Sequence, residues 1–189
     1  AAKKLSAEIR QALEDLNFGQ VRFDIEVRQT GNITPDGADE AEFMISVNPG
    51  EDLRPLAKIA SGGELSRIML GIKSVLANKD DTDTLIFDEI DTGISGRTAQ
   101  KVSEKMALIA RSHQVICITH LPQIAAMADI HFLIEKNIKD GFTTTSINRL
   151  SDQEIITELA RMLGGSQITD LVMDNAAQMK EFADNLKKQ

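Results

Sequence analysis

From residue 3 to residue 17 the apolar positions Leu5, Ile9, Leu13 and Leu16 recur at helical spacing, with Lys, Glu, Arg and Asp between them. This predicts an amphipathic helix. At residue 21 the period changes to two: Val21, Phe23, Ile25 and Val27 alternate with Arg22, Asp24, Glu26 and Arg28, and Phe43, Ile45 and Val47 alternate with polar or smaller neighbours. Both stretches read as half-buried strands. Between them Gly31 to Asp39 is rich in Gly, Asn, Pro and Asp and reads as a loop, and Asn48-Pro49-Gly50 closes the antiparallel section.

The second half changes character. A helix is expected over 64–78, followed by a charged loop at 78–83 and the apolar run Thr84-Leu85-Ile86-Phe87. A helix from about Ser95 to Arg111 carries Ala99, Val102, Met106 and Ala110 on one face. Strand 114–119, a short helix after Pro122 and strand 130–135 continue the alternation, which is the pattern of a parallel sheet. Residues 142–149 are expected to pair back through Lys139-Asp140-Gly141. Helix 152–163 stops at Gly164-Gly165, and helix 167–187 carries Ile168, Leu171, Val172, Met179, Ala183 and Leu186. The expected fold is α/β, a mostly parallel sheet flanked by helices with a small antiparallel β section.

Bulk composition narrows the partners. The 189 residues carry a net charge of −8, which argues against a surface that is mainly a nucleic-acid footprint, because neutralising phosphates needs clustered Lys and Arg. No apolar run approaches the length of a membrane span, and Ala1-Ala2-Lys3-Lys4 lacks the apolar core of a secretory signal. The single cysteine, Cys117, lies inside an apolar strand pattern and reads as a buried thiol in a reducing cytoplasm.

Three stretches carry candidate chemistry. Ser61-Gly62-Gly63-Glu64 stands before the apolar run Ile68-Met69-Leu70, so bare backbone N–H groups open a helix whose positive end suits a phosphate. The same residues also describe an ordinary helix cap. Asp88 and Glu89 follow a buried strand, at the end where open α/β sheets bind ligands, although solvated acids also end many strands. His120 ends a second such strand and can equally be a satisfied loop histidine.

Together, Ser-Gly-Gly-Glu, strand-Asp-Glu, Asp91-Thr92-Gly93-Ile94-Ser95-Gly96 and strand-His resemble the C-terminal lobe of an ABC-type ATPase head: signature loop, Walker B strand, D-loop and switch histidine. Within that superfamily the wording Lys58-Ile59-Ala60-Ser61-Gly62-Gly63-Glu64-Leu65-Ser66-Arg67, Phe87 to Gly96 and Thr119-His120-Leu121-Pro122-Gln123 is very similar to the RecN family, bacterial DNA-repair relatives of the SMC proteins. Ala60, Glu64 and Ser95 depart from the general ABC pattern and match that family.

The resemblance implies ATP and Mg²⁺ as cofactors. It makes Asp88 the Mg²⁺ ligand, Glu89 the base for the attacking water and His120 a contact to the γ-phosphate. It places Ser61, Gly62, Gly63 and Glu64 against the ATP of an opposite protomer, with Asp91 to Gly96 along the interface of a homodimer. It makes residues 1–18 the end of a coiled-coil arm, where the sequence alone equally allows a helix packed on the domain, and 19–189 the head lobe. DNA is the implied partner of the full-length protein, with a cytoplasmic, nucleoid-associated location and no membrane. None of the twelve glycines is followed by lysine, so these residues contain no Gly-x-x-x-x-Gly-Lys-Ser/Thr loop. The implied complement is an N-terminal Walker A lobe of the same protein, and the fragment alone is expected to be an inactive half-site. A non-catalytic assembly module, or a head lobe of another SMC-like protein, is the alternative.

Overall fold

A computed structural model describes every residue except Asp36, Asp80, Asp140, Gly141 and Gln189, with only the backbone described at 78 and 139. The chain divides into two compact units, Ala1–Ile118 and Thr119–Gln189.

The first unit is built on the amphipathic pattern of its first helix. Helix α1 (Ala2–Asp15) buries Ile9 and Leu13 completely. These pack with Val21, Phe23 and Ile25 of the first strand region, Ile45 of the second, and Ile68 and Ile72 of α2 (Gly62–Leu76). Phe23 and Phe43 meet edge to face at 5.5 Å, a geometry that suits the positive rim and negative face of the rings. The apolar stripe of residues 3–17 thus packs on the domain through Ile9 and Leu13.

Strand β1 (Arg22–Thr34) pairs antiparallel with β2 (Gly37–Ser46), which in turn pairs with the two-residue β3 (Arg54–Pro55). The loop expected over 31–39 is therefore mostly strand. The ladder slips between Gln29 and Thr34, where Gly31 takes φ +75°, and the Thr30 hydroxyl donates to the Asn32 and Ala38 carbonyls at 2.8 and 3.0 Å. Turn-forming residues here supply a bulge inside a longer ribbon. Part of the expected turn, Asp36, lies outside the described residues.

Strands β4 (Thr84–Phe87) and β5 (Gln114–Cys117) pair parallel, with α3 (Gly96–Ile109) between them in sequence, as expected of a βαβ unit. Leu85 and Phe87 are buried, while Ile86, Ile116 and Ile118 are 68%, 45% and 52% exposed. A parallel pair normally has both faces covered; here one apolar face is bare.

The second unit holds α4 (Pro122–Ala126), the antiparallel pair β6 (Phe132–Lys139) and β7 (Phe142–Arg149), α5 (Asp152–Gly164) and α6 (Asp170–Lys187). The stretch expected to extend the parallel alternation is thus displaced from 130–135 to 132–139, and among the described residues its hydrogen-bonded neighbour is β7. Its pattern explains the outcome. The run Phe132-Leu133-Ile134 is apolar throughout, but Glu135, Lys136, Asn137 and Lys139 follow it, so most of the strand lacks the continuous apolar character of a buried parallel strand. The expected turn at Asp140-Gly141 lies outside the described residues. Among the described residues no helix is long and apolar enough to cross a membrane.

One buried titratable group makes the second unit sensitive to acid. His131 is 9% exposed, and its Nε2 has no hydrogen-bond partner among the described residues. Burial lowers its pKa below the ordinary 6.5, assisted by the Lys180 and Lys187 ammonium groups and opposed by the Ala128 backbone and the Asp184 carboxylate. The unfolded chain therefore binds the proton first. The contribution of His131 is complete above the ordinary histidine pKa and is lost as pH falls from there through the folded value, with a slope of at most about 1.4 kcal/mol per pH unit. Urea unfolding of the second unit between pH 7.5 and about 5 should show this slope, and His131→Leu should flatten it. An unchanged slope in the variant removes His131 as its source.

Candidate functional site

The site grows from the junction of α2 with the segment that follows β4. Ser61 enters α2 in extended conformation (φ −92°, ψ 119°), and its Oγ accepts the Glu64 N–H at 3.4 Å. The capping reading of this serine is therefore realised, with Glu64 in the first turn complementing the helix dipole. Capping uses the oxygen as an acceptor, so the hydroxyl hydrogen can still be donated outward.

At the end of β4 the chain turns sharply. The Glu89 N–H donates to Asp88 Oδ1 at 2.9 Å, Glu89 itself takes φ +56°, and the Thr92 N–H returns to the Glu89 carbonyl at 3.0 Å. A left-handed non-glycine residue costs about 1–3 kcal/mol and persists only where its surroundings over-determine it. Here α2 does so. Ser66 Oγ donates to the Asp88 carbonyl at 2.8 Å, and Arg67 Nη1 donates to the Ile90 and Thr92 carbonyls at 3.2 and 2.9 Å. Three alternate carbonyls of one turn are thus held by two adjacent side chains of one helix.

The two glycines of the loop are explained by the same approach. A Cβ on Gly63 would lie 2.9 Å from the Glu89 carbonyl oxygen and 3.0 Å from Thr92 Cβ, and one on Gly62 would collide with Glu89 Oε2. The structure therefore brings Ser61, Gly62, Gly63 and Glu64 together with Asp88, Glu89, Asp91 and Thr92 in the first unit. Ser61, Asp88 and Glu89 are exposed, whereas Asp91 is buried. Gly93, Ile94, Ser95 and Gly96 continue from the turn into α3, with Ser95 as its extended cap residue. His120 opens the second unit and is exposed; beside it the Leu121 N–H donates to Thr119 Oγ1 at 3.0 Å.

Arg67 was quoted in the motif without a role, and it is the residue that motif reading missed. Arg67 is 8% exposed, and its guanidinium carbon lies 5.7 Å from the centroid of the Phe18 ring, within cation–π range. Burial lowers its pKa, opposed by Glu64, yet an arginine keeps its charge. The available signal was spacing: position 67 is one turn from Gly63, on the same helix face.

Asp88 fits a Mg²⁺ ion as one hard oxygen ligand, exposed at a strand end with one oxygen fixed by the Glu89 N–H. No three His, Cys, Asp or Glu side chains gather into a metal cluster among the described residues. Mg²⁺ commonly takes one or two carboxylates and completes its shell with water and substrate phosphates. On β5, Cys117 pairs in register with Phe87, and burial, aided by Asp91 and Asp88, pushes its thiol up to about 12.

A parallel strand pair whose end is closed by the opening turn of a Ser-Gly-Gly helix has the fold of SMC head domains. The chain overlays the Smc head domain with a coiled coil and joint from Pyrococcus yayanosii with a TM-score of 0.56 and 20% identity, covering 82% of this chain and 28% of that one. It overlays the Smc head with an extended coiled coil from Pyrococcus furiosus with a TM-score of 0.54 and 19% identity, covering 84% and 37%. No family model matches. Curated relatives do: the chain is 45% identical to the DNA repair protein RecN of Bacillus subtilis over 201 residues, 98% of this chain and 35% of that protein. It is 45% identical to the DNA repair protein RecN of Vibrio cholerae over 179 residues, 94% and 32%. Over the region it spans, about a third of those relatives' length, the chain belongs to the RecN family.

The raised thiol gives a direct check on the electrostatics beside Asp88 and Asp91. With a pKa of about 12 the thiolate fraction of Cys117 at pH 8 is about 10⁻⁴. Alkylation by iodoacetamide should run roughly a thousandfold slower than for an unperturbed cysteine peptide. A rate near that of the peptide contradicts the environment described.

Proposed function

We propose that this chain is the C-terminal lobe of an ATP-hydrolysing head that acts in DNA double-strand break repair and recombination, completed by an N-terminal Walker A lobe of the same protein. The observation that carries the reading is the Asp88–Thr92 turn, which presents two adjacent exposed carboxylates at a strand end in a strained conformation held by the Ser-Gly-Gly helix. The left-handed backbone at Glu89, held from α2, supports a functional reading over that of a solvated strand end, because strained residues of this kind cluster at active sites. The bare face of Ile86, Ile116 and Ile118 supports a missing lobe, because three isoleucines on one side of a parallel pair are core residues without a core.

In this reading Asp88 holds Mg²⁺, which supplies charge neutralisation at the transferring phosphate. Glu89 orients the attacking water and takes its proton, and His120 donates to the γ-phosphate. Ser61, Gly62, Gly63 and Glu64 present the start of α2 to the ATP of a second head, and Asp91 to Gly96 line the contact between the two heads. Residues 1–18 form the end of a coiled-coil arm and 19–189 the lobe proper. The partners are a second copy and DNA, in the cytoplasm at the nucleoid. The charge of −8 leaves DNA contact to a local patch or to other parts of the protein.

In the full-length protein Glu89→Gln should keep ATP binding while turnover falls about 10²- to 10⁴-fold. The ATP-bound dimer should accumulate, as read by gel filtration with steady-state hydrolysis. Near-normal turnover removes Glu89 from the role of base.

The contact of Glu89 with Gly62 in one chain makes it necessary to separate capping across a dimer from binding within one head. Ser61→Arg should leave nucleotide affinity of the monomer unchanged while ATP-dependent dimerisation and hydrolysis fall together. Loss of monomeric ATP binding instead places the loop in the pocket of its own head, and the capping mechanism is then abandoned.

A further inference from the structure

Beyond the groups that face nucleotide, the geometry points to Arg67 as a positioning residue for hydrolysis: buried beneath Phe18, it holds the Ile90 and Thr92 carbonyls and so fixes the turn that carries Glu89. The inference rests on the reading of Glu89 as the base and adds to it a residue that never touches substrate.

The argument begins with Glu89. At φ +56° its backbone sits in a region that an L-residue leaves unless held. The internal bonds of the turn, from Glu89 N–H to Asp88 Oδ1 and from Thr92 N–H to the Glu89 carbonyl, are both partly exposed to competition from water, since Asp88, Glu89 and Thr92 are exposed. The contacts from α2 differ. Arg67 is 8% exposed and Ile90 is fully buried, so the bond from Nη1 to the Ile90 carbonyl is shielded and charge-assisted. One nitrogen reaches both carbonyls, at 3.2 and 2.9 Å, and so fixes the spacing between residues 90 and 92 as well as their distance from α2. Ser66 adds the carbonyl of residue 88. Lysine has the charge of arginine but not the planar fork that docks under an aromatic ring.

Phe18 gives the arrangement a second end. It follows α1, whose residues Ile9 and Leu13 pack against Ile68 and Ile72 of α2. The ring that covers the guanidinium is therefore placed by the helix that leads into the unit. Displacement of α1 would uncover the charge that holds the turn.

The test uses the full-length protein with Arg67→Met, Arg67→Lys and, as a control, Leu159→Ala, which opens a cavity at a fully buried position of α5 in the second unit and touches neither α1 nor the turn. Hydrogen exchange of the peptide spanning 88–94 and steady-state hydrolysis are read together with nucleotide affinity. Arg67→Met should speed exchange across the turn by about tenfold or more and lower kcat by a similar factor, as expected for losing shielded bonds to a charged donor, with nucleotide affinity unchanged. Arg67→Lys should fall between it and the parent. Leu159→Ala, compared at equal loss of unfolding midpoint, should leave kcat and the exchange of 88–94 near those of the parent.

Unchanged exchange in both Arg67 variants overturns the inference, as does equal loss of kcat in Leu159→Ala. Should Arg67→Met not fold, Arg67→Lys alone decides by the same readouts. Faster exchange with normal kcat overturns the positioning role when Glu89→Gln is inactive. When Glu89→Gln is itself active, the same result counts against Glu89 as the base and so against the proposed function.

Discussion

The constraint on which the site depends is a buried cation with carbonyls for partners. A guanidinium out of water is costly, and each of its N–H groups left without an acceptor adds to that cost. Arg67 meets this demand with the carbonyls of Ile90 and Thr92 and with the face of Phe18. Because the need is mutual, neither side is free to move alone: the turn needs α2 to stay left-handed at Glu89, and the arginine needs the turn to stay solvated. Gly63 follows from the same close approach, since a side chain there would meet the Glu89 and Thr92 carbonyls and push the turn off the helix, whereas one at 62 would displace only the Glu89 carboxylate.

This gives the Ser-Gly-Gly sequence two physical meanings at once. Seen from outside, it is a helix start with bare N–H groups and a capping serine. From inside, it is the floor on which the acidic turn rests. A residue pattern demanded by packing within one chain and also suited to binding an anion is doubly constrained, which accounts for a wording much more specific than helix capping needs.

Much of this was legible beforehand, and the reasons for the misses differ. The first helix, the two acids at the strand end and the loop at the head of α2 were readable because each is a local pattern with one dominant period or cap. The βαβ unit of β4, α3 and β5 was readable from alternation. The ribbon of β1 and β2 was not, because Gly31 and Asn32 look alike in a loop and in a bulge, and only partner register separates the two. β6 reads as a member of the parallel series because Phe132-Leu133-Ile134 is a continuous apolar run of the kind that opens a parallel strand, and only its pairing with β7 marks it as a hairpin strand. Arg67 escaped because a charged residue in an exposed-looking motif gives no sign that its acceptors are main-chain atoms twenty-odd residues away. Nothing in sequence marks a carbonyl that will need a donor.

The left-handed backbone at Glu89 carries a further meaning for how such a protein changes over generations. Glycine adopts that conformation without strain, and a glycine there would also remove the carboxylate that crowds Gly62. The substitution that abolishes the carboxylate is therefore among those the backbone accepts most readily, so folding offers no protection against it. Whatever keeps an acid at this position has to be selection on what the acid does, acting against the local preference of the chain.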